Sequence, residues 1–163
     1  MAKYVVGHGI DEYIAKLGNL SREAPHVCGK AVYEGAKVVA DAVRKETSGL
    51  PIADSYSYKR SGEKLNGVSA RQKAGLLNGL GIAKMRNDGG YYNVAVGFHG
   101  YNSQSTEKYA SGQPNAMIAR SVNSGTYFRQ KNPFFDRAIR KSKPAAEAAM
   151  ARTADQLINE IMK

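Results

Sequence analysis

The strongest constraint on how this chain folds is a turn signal between two strand-forming segments in its second half. Asn87-Asp88-Gly89-Gly90 supplies residues that tolerate positive φ and can close a tight hairpin. Residues 91–98, which follow it, alternate between two faces with the period of a half-buried strand. Residues 76–86, which precede it, are less regular, and their glycines indicate a bend or bulge. The sequence therefore predicts a β-hairpin over residues 76–98.

Helical patterns precede this hairpin. The chain predicts a short strand at residues 4–6, a short amphipathic helix over residues 11–20, and a longer helix that begins at the N-cap Ser21 and ends near Thr47. Small apolar side chains at helical spacing give the longer helix one buried stripe. Gly49, followed closely by a proline, is a stop signal.

Two more helices are predicted after the hairpin. Residues 115–122 suit a short helix, which Gly125 would end with a turn. Asn132 can cap a final helix, in which Phe134 would anchor the first turn to the core. Pro144 should kink or break this helix, because proline lacks the backbone N–H and its ring clashes with the preceding turn.

These elements predict one domain over residues 1–163, of the α+β class. A small antiparallel sheet with a central hairpin would pack against the long helix of the N-terminal half and against the C-terminal helix. A single cysteine, Cys28, excludes a disulfide within the chain, and we interpret it as a small buried apolar residue. No segment approaches the roughly 20 apolar residues of a membrane span, and no secretion signal is recognisable. We therefore expect a soluble protein without membrane contact.

The charge of the chain is +10 and is concentrated in two blocks. Residues 44–90 and residues 120–163 each carry nine basic and four acidic side chains, whereas the rest of the chain is balanced. Such a field favours an anionic partner, which could be nucleic acid or the acidic face of another protein. Solubility alone is the competing interpretation.

The segment at about residues 50–75 is predicted to be a long basic loop, because it shows neither helical nor strand periodicity. A loop of this length in a compact domain is usually functional or disordered. We expect it to lie on the surface and to become ordered against a partner, where aromatic rings could stack and cations could follow phosphates. The candidate partner-binding residues of this loop and of the second basic block are Tyr56, Tyr58, Lys59, Arg60, Arg71, Lys73, Arg120, Arg129 and Lys131. A further basic run occupies residues 137–143.

The sequence contains little that indicates catalysis or cofactor binding. Gly7-His8-Gly9 resembles a dinucleotide-binding turn, but the third glycine of that motif is absent and acidic residues follow. His26 and Cys28 are two residues apart, so on a helix they point to nearly opposite sides and cannot chelate a metal together. No serine lies in a Gly-x-Ser-x-Gly setting, so a hydrolase is unsupported. The sequence therefore predicts no cofactor, no metal site and no enzymatic activity.

Several short motifs occur in a characteristic order between residues 77 and 139. They are Leu80-Gly81-Ile82-Ala83-Lys84-Met85, Gly97-Phe98, Gly100-Tyr101-Asn102, Gln113-Pro114-Asn115-Ala116, Ile118-Ala119-Arg120-Ser121, Gly125-Thr126 and Pro133-Phe134. In this order they resemble the head–tail joining proteins of long-tailed phages, which are called neck, tail-completion or minor tail proteins. The N-terminal half fits this family more loosely.

The resemblance implies a small α+β fold and a structural role. It implies a homo-oligomeric ring, with six subunits favoured over twelve. The neighbours would be head-connector proteins and tail-terminator or tail-tube proteins. The protein would act in the virion, after passing through the host cytoplasm during assembly. The alternative is a basic nucleic-acid-binding protein that uses the two charged blocks.

Overall fold

The structure of the protein, a computed structural model, describes residues 8–53 and 62–163. These ranges contain four helices and four short strands, which form two antiparallel pairs. The helices are α1 (His8–Ser48), α2 (Ala70–Gly79), α3 (Asn115–Ser124) and α4 (Phe134–Met162). The strands are β1 (Leu80–Ile82), β2 (Arg86–Asp88), β3 (Tyr91–Asn93) and β4 (Val96–Phe98). The strand predicted at residues 4–6 lies outside the described residues.

Helix α1 is a single helix of 41 residues, so the prediction of two helices meeting at Ser21 is wrong. Pro25 lies inside α1, where it removes one backbone hydrogen bond. The chain nevertheless stays helical on both sides, because α1 packs along α4 in the most extensive contact between any two elements. At the far end of this contact, the Lys16 ammonium donates to the Lys163 carbonyl at 3.1 Å. Tertiary packing along the helix thus outweighs the local break signals.

Helix α2 occupies part of the segment that was predicted to be loop. It begins with a capping box: the Ser69 hydroxyl accepts from the Gln72 backbone N–H, and the Gln72 side chain accepts from the Ser69 backbone N–H. Before it, Leu50 and Val68 are buried. The chain segments that contain these two residues lie side by side, since the Val68 N–H donates to the Pro51 carbonyl at 3.0 Å. The segment therefore contributes buried residues to the fold, and the prediction of a loop is wrong at residues 70–75, which are helical. Residues 62–64 are exposed and belong to no helix or strand, as predicted.

The β-hairpin is confirmed, although it begins later than predicted because residues 76–79 belong to α2. Strands β1 and β4 pair with Gly81 opposite Gly97, and β2 pairs with β3 further out. The turn between β2 and β3 contains Gly89 and Gly90, whose φ values of 65° and 95° explain the glycines. Between the two strand pairs, one hydrogen bond from the Ala83 N–H to the Ala95 carbonyl, 2.8 Å long, continues the hairpin.

Helices α3 and α4 form where the sequence predicts them, but the cap of α4 differs. The N-cap position is occupied by Pro133, and its side chain makes no capping hydrogen bond. Instead, the Asn123 side chain of α3 accepts from the Phe135 N–H at 3.1 Å, so the cap is supplied across the helix pair. Helix α4 continues through Pro144 without a break, with buried residues on both sides of it. None of the described helices has the length and apolarity that crossing a membrane requires.

The core consists of two adjoining clusters. The larger is formed by Leu50, Val68, Leu76, Ile118, Ala119, Val122 and Phe134, and the smaller by Val43, Leu80 and Ala138. Phe98 of the hairpin and Phe135 of α4 pack against both clusters. The protein is thus an α+β fold, in which a small antiparallel sheet with a hairpin packs against the long N-terminal helix, while its Phe98 contacts Phe134 and Phe135 of the C-terminal helix.

Candidate functional site

Among the predicted partner-binding residues, three cations are exposed on the described surface: Arg71, Arg120 and Lys131. None of them makes an ion pair with a described residue. Arg71 and Arg120 line different cavities, and no hydrogen bond or ion pair joins the three side chains. Tyr56, Tyr58, Lys59 and Arg60 lie outside the described residues.

Two of the predicted partner-binding residues have structural contacts instead. The half-buried Lys73 donates from its ammonium to the Leu50 carbonyl at 2.8 Å, and so holds the chain where it leaves α1. Arg129 is only 4% exposed, and its guanidinium donates to the Gly67 carbonyl at 2.7 Å and to Gln72 Oε1 at 3.3 Å. Burial lowers the pKa of Arg129, since it penalises the charged form. The prediction that Arg129 meets a partner on the surface is wrong, because its neighbours enclose it.

The basic run of residues 137–143 is partly neutralised within the fold. Glu46 of α1 accepts from Arg137 at 2.8 Å and from Lys141 at 3.0 Å. Hydrogen bonds from Arg137 and Lys141 hold the pKa of Glu46 below its ordinary value, with the Arg137 bond having the larger effect. These bonds join the C-terminal part of α1 to the first turns of α4. This part of the positive charge therefore stabilises the helix pair as well as contributing to the surface field.

The motifs of the central segment meet in one buried polar junction. Asn115, at the start of α3, donates from its side chain to the His99 carbonyl at 2.9 Å. The Asn102 N–H donates to the Gln113 carbonyl at 2.9 Å, which brings the two ends of the intervening loop together. Gly112 has φ of 110°, and a Cβ there would lie 1.9 Å from the Asn102 carbonyl oxygen. The Asn and Gly residues of these motifs thus hold the hairpin, the loop and α3 in one arrangement.

A cavity of about 400 Å³ lies beside Arg129, and sequence reasoning missed it. Its described lining contains glutamine, serine, threonine and apolar side chains from five separate segments. They include Leu65, Val68, Gln72, Gln104, Thr106, Gln113, Met117, Ile118, Ser121, Phe128 and Arg129. The one available sequence signal was the capping-box pattern that places Gln72, because the other residues are distant in the chain.

A row of large apolar side chains on the first turns of α1 is left uncovered by the described residues. Ile10, Tyr13, Ile14 and Leu17 are between 44% and 60% exposed. They follow one another at helical spacing, so they form one stripe on one side of the helix. Scattered exposed apolar residues are ordinary, but a contiguous stripe of this kind is typical of an interaction surface.

The residues that could support metal or nucleophilic chemistry are dispersed. Cys28 is exposed, so its interpretation as a buried apolar residue is wrong. No three His, Cys, Asp or Glu side chains among the described residues form a metal-binding group. In comparisons with known proteins, no protein-family model, no curated protein and no solved structure matches this chain.

Proposed function

We propose that this protein is a structural subunit of a phage virion, which assembles as a ring at the head–tail junction and joins the head connector to the tail. The proposed location at the head–tail junction rests on the short motifs between residues 77 and 139, whose order along the chain resembles that in head–tail joining proteins. Residues of these motifs, such as Asn102 and Asn115, form the buried polar junction that holds the hairpin, loop and α3 together. The motifs on which the resemblance depends thus have a structural role in this fold, which supports a structural function for the protein.

The observation that carries the assembly part of this proposal is the uncovered stripe of Ile10, Tyr13, Ile14 and Leu17 on α1. A ring requires each subunit to present two different faces that meet head to tail. Burying the stripe against the next copy would remove apolar area from water at roughly 25 cal/mol per Å².

The mass of the purified protein in solution tests this proposal, measured over a range of protein and salt concentrations. We expect a closed oligomer, with six subunits favoured over twelve, which persists at high salt because its interface is apolar. Ile14→Glu should shift the mass towards the monomer. Ala15→Glu is the matched control: it adds the same charge to an exposed neighbouring position that lies away from the stripe, and it should leave the oligomer intact.

A basic nucleic-acid-binding protein is the alternative function. It is favoured by the exposed cations Arg71, Arg120 and Lys131, none of which is paired with a described residue. Adding duplex DNA to the same solutions separates the two functions, because contacts to phosphate weaken steeply as salt rises. A monomer that binds DNA at low salt and releases it at high salt would overturn the ring proposal in favour of this alternative.

A further inference from the structure

The guanidinium of Arg129 is a buried charge without a carboxylate partner among the described residues. Its two hydrogen-bond acceptors among the described residues, the Gly67 carbonyl and Gln72 Oε1, are both neutral. Its Nε atom is buried and has no hydrogen-bond partner among the residues that the structure describes. Arginine stays protonated in proteins, so the charge cannot be removed by deprotonation. An uncompensated buried charge of this kind is costly unless something neutralises it.

Arg129 lines the cavity of about 400 Å³, and a second unsatisfied group lines it too. The Ser121 hydroxyl oxygen is buried, and no atom of residues 8–53 or 62–163 forms a hydrogen bond with it. The cavity therefore contains one unused N–H donor and one unused hydroxyl, although buried polar groups in proteins are normally paired. Thr106 and Met117, which also line it, are exposed, so the cavity reaches the surface.

The remaining lining has the character of a small-molecule site. The Gln72 amide donates to Gln113 Oε1 at 2.7 Å, which holds two polar side chains in fixed positions. Apolar side chains supply other parts of the wall, among them Leu65, Val68 and Ile118. A volume of this size lies within the range of about 300–1,000 Å³ that small-ligand pockets occupy, and such pockets combine apolar walls with a few polar groups.

We propose that this cavity binds a monocarboxylate with an apolar body, whose carboxylate accepts from Arg129 Nε and the Ser121 hydroxyl. One negative charge fits, because Arg129 is the one charged side chain among the described lining residues. A phosphate dianion would leave a second negative charge buried and unpaired. The apolar body would contact the wall formed by Leu65, Val68 and Ile118. The carboxylate could belong to a free small molecule or to the C-terminus of a protein chain that ends in an apolar residue.

Titration of the ¹⁵N-labelled wild-type protein with hexanoate tests the proposal by NMR, with hexanamide as the neutral probe of the same shape. We expect saturable shifts of the Arg129 Nε–H signal and of the amides around the cavity. Hexanoate should bind at least about tenfold more tightly than hexanamide. The proposal is overturned if hexanoate produces no saturable shift up to about 50 mM, a limit well beyond millimolar affinity. Equal affinities for the two probes would also overturn it.

Variants assign the binding to the named atoms. Arg129→Gln should abolish hexanoate binding, whereas Arg152→Gln, which removes the same charge from an exposed position on α4, should leave it unchanged. Ser121→Ala should weaken binding by about fivefold, the value of one ordinary hydrogen bond. The Ser121→Ala variant still tests the site if Arg129→Gln does not fold. The assigned geometry is contradicted if Ser121→Ala binds hexanoate with wild-type affinity and the Arg129 Nε–H signal does not move during the titration.

The source of the carboxylate is decided by a second pair of probes, acetyl-Gly-Gly-Leu with a free C-terminal carboxylate and the same peptide with a C-terminal amide. Tighter binding of the peptide acid than of hexanoate assigns the site to the end of a protein chain. Tighter binding of hexanoate assigns it to a free small molecule. This inference does not depend on ring assembly, since it is measured equally well on the Ile14→Glu variant.

Discussion

At the scale of single residues, Phe134 is the anchor of the core. It is fully buried, and its ring lies 6.0 Å from that of Phe98 and 6.4 Å from that of Phe135. Aromatic pairs at such distances add to the stabilisation that burial provides. Phe134 thus anchors α4 to the core, as the sequence predicted, and it also contacts Phe98 of the hairpin.

Replacing Phe134 with alanine should lower the free energy of unfolding by about 3–5 kcal/mol, because it leaves a cavity among side chains that cannot fully collapse. Urea unfolding followed by circular dichroism measures this change. Tyr91→Ala is the control, since Tyr91 is 81% exposed, and it should change stability by less than about 0.5 kcal/mol. A loss below about 1 kcal/mol for Phe134→Ala would show that the core is assembled differently.

Two cations in one short segment show what a sequence cannot decide at this scale. Arg129 is buried and Lys131 is exposed, although both belong to the same basic block. The difference arises from backbone pairing: the Leu65 N–H donates to the carbonyl of residue 128, and the Leu65 carbonyl accepts from the N–H of residue 130. This pairing places the Arg129 side chain inside the fold, where it donates to the Gly67 carbonyl. Leu65 is more than sixty residues away in the chain, so no local pattern carries this information. The cavity beside Arg129 was unpredictable for the same reason.

At the scale of elements, the continuity of α1 is the main departure from the prediction. Gly18 lies inside this helix, its φ is not positive, and a Cβ added there would meet nothing within 4 Å. If a helix instead ended near Gly18, glycine would be expected there with a left-handed backbone. A continuous α1 and a helix that ends near Gly18 therefore predict opposite effects of Gly18→Ala on stability.

Gly18→Ala should stabilise the protein by about 0.5–1 kcal/mol, because alanine loses less conformational entropy than glycine within a helix. The thermal midpoint of unfolding measures the effect. Gly35→Ala on the same helix is the contrasting variant: its Cβ would lie 2.6 Å from Met150 Cγ of α4, so it should not stabilise. A destabilising Gly18→Ala would instead indicate that α1 is broken near Ser21.

The bond between α1 and α4 through Glu46 gives a prediction about pH. The folded-state pKa of Glu46 lies below its ordinary value of 4.5, chiefly through the Arg137 hydrogen bond. A lowered carboxyl pKa stabilises the folded state above the unfolded pKa, and this stabilisation is lost as pH falls through the folded pKa. Glu46→Gln should therefore lower stability by about 1 kcal/mol at pH 7, the upper value for a partly exposed ion pair.

The difference between wild type and Glu46→Gln should shrink as the pH falls below 4.5. Urea unfolding at pH 7 and at several values down to pH 3 measures it. Glu34→Gln is the control, because Glu34 pairs with Lys37 on the same helix and joins no other element. A difference that is independent of pH would show that the Glu46 side chain acts by packing and not by charge.

At the scale of the whole molecule, stability should be lowest at the far end of the α1–α4 pair and highest around the core. The amides of Leu65 and Val68 donate to the Phe128 and Pro51 carbonyls at 2.8 and 3.0 Å, and both residues are buried. The side chains of residues 10–15, near the start of α1, are exposed. Protection of an amide follows the free energy of the opening that exposes it.

Hydrogen exchange on the Ile14→Glu variant, in which assembly should not cover α1, tests this distribution. We expect the Leu65 and Val68 amides to be protected nearly to the level of global unfolding, and residues 10–15 to exchange by local fraying. Rapid exchange at Leu65 and Val68 would restore the interpretation of this segment as a loop that orders against a partner.

The sequence by itself determined the features that depend on local backbone preference and side-chain periodicity. These are the hairpin turn at Gly89 and Gly90, the helical stripes, and Phe134 at the start of α4. Tertiary structure decided what those elements became: the continuity of α1, the burial of Arg129 and the cavity beside it. Local helix preferences amount to about 1 kcal/mol or less for most residues and about 3 kcal/mol for a proline inside a helix. Packing over a long helix contact or a buried cluster exceeds them, and its partners are distant in the chain.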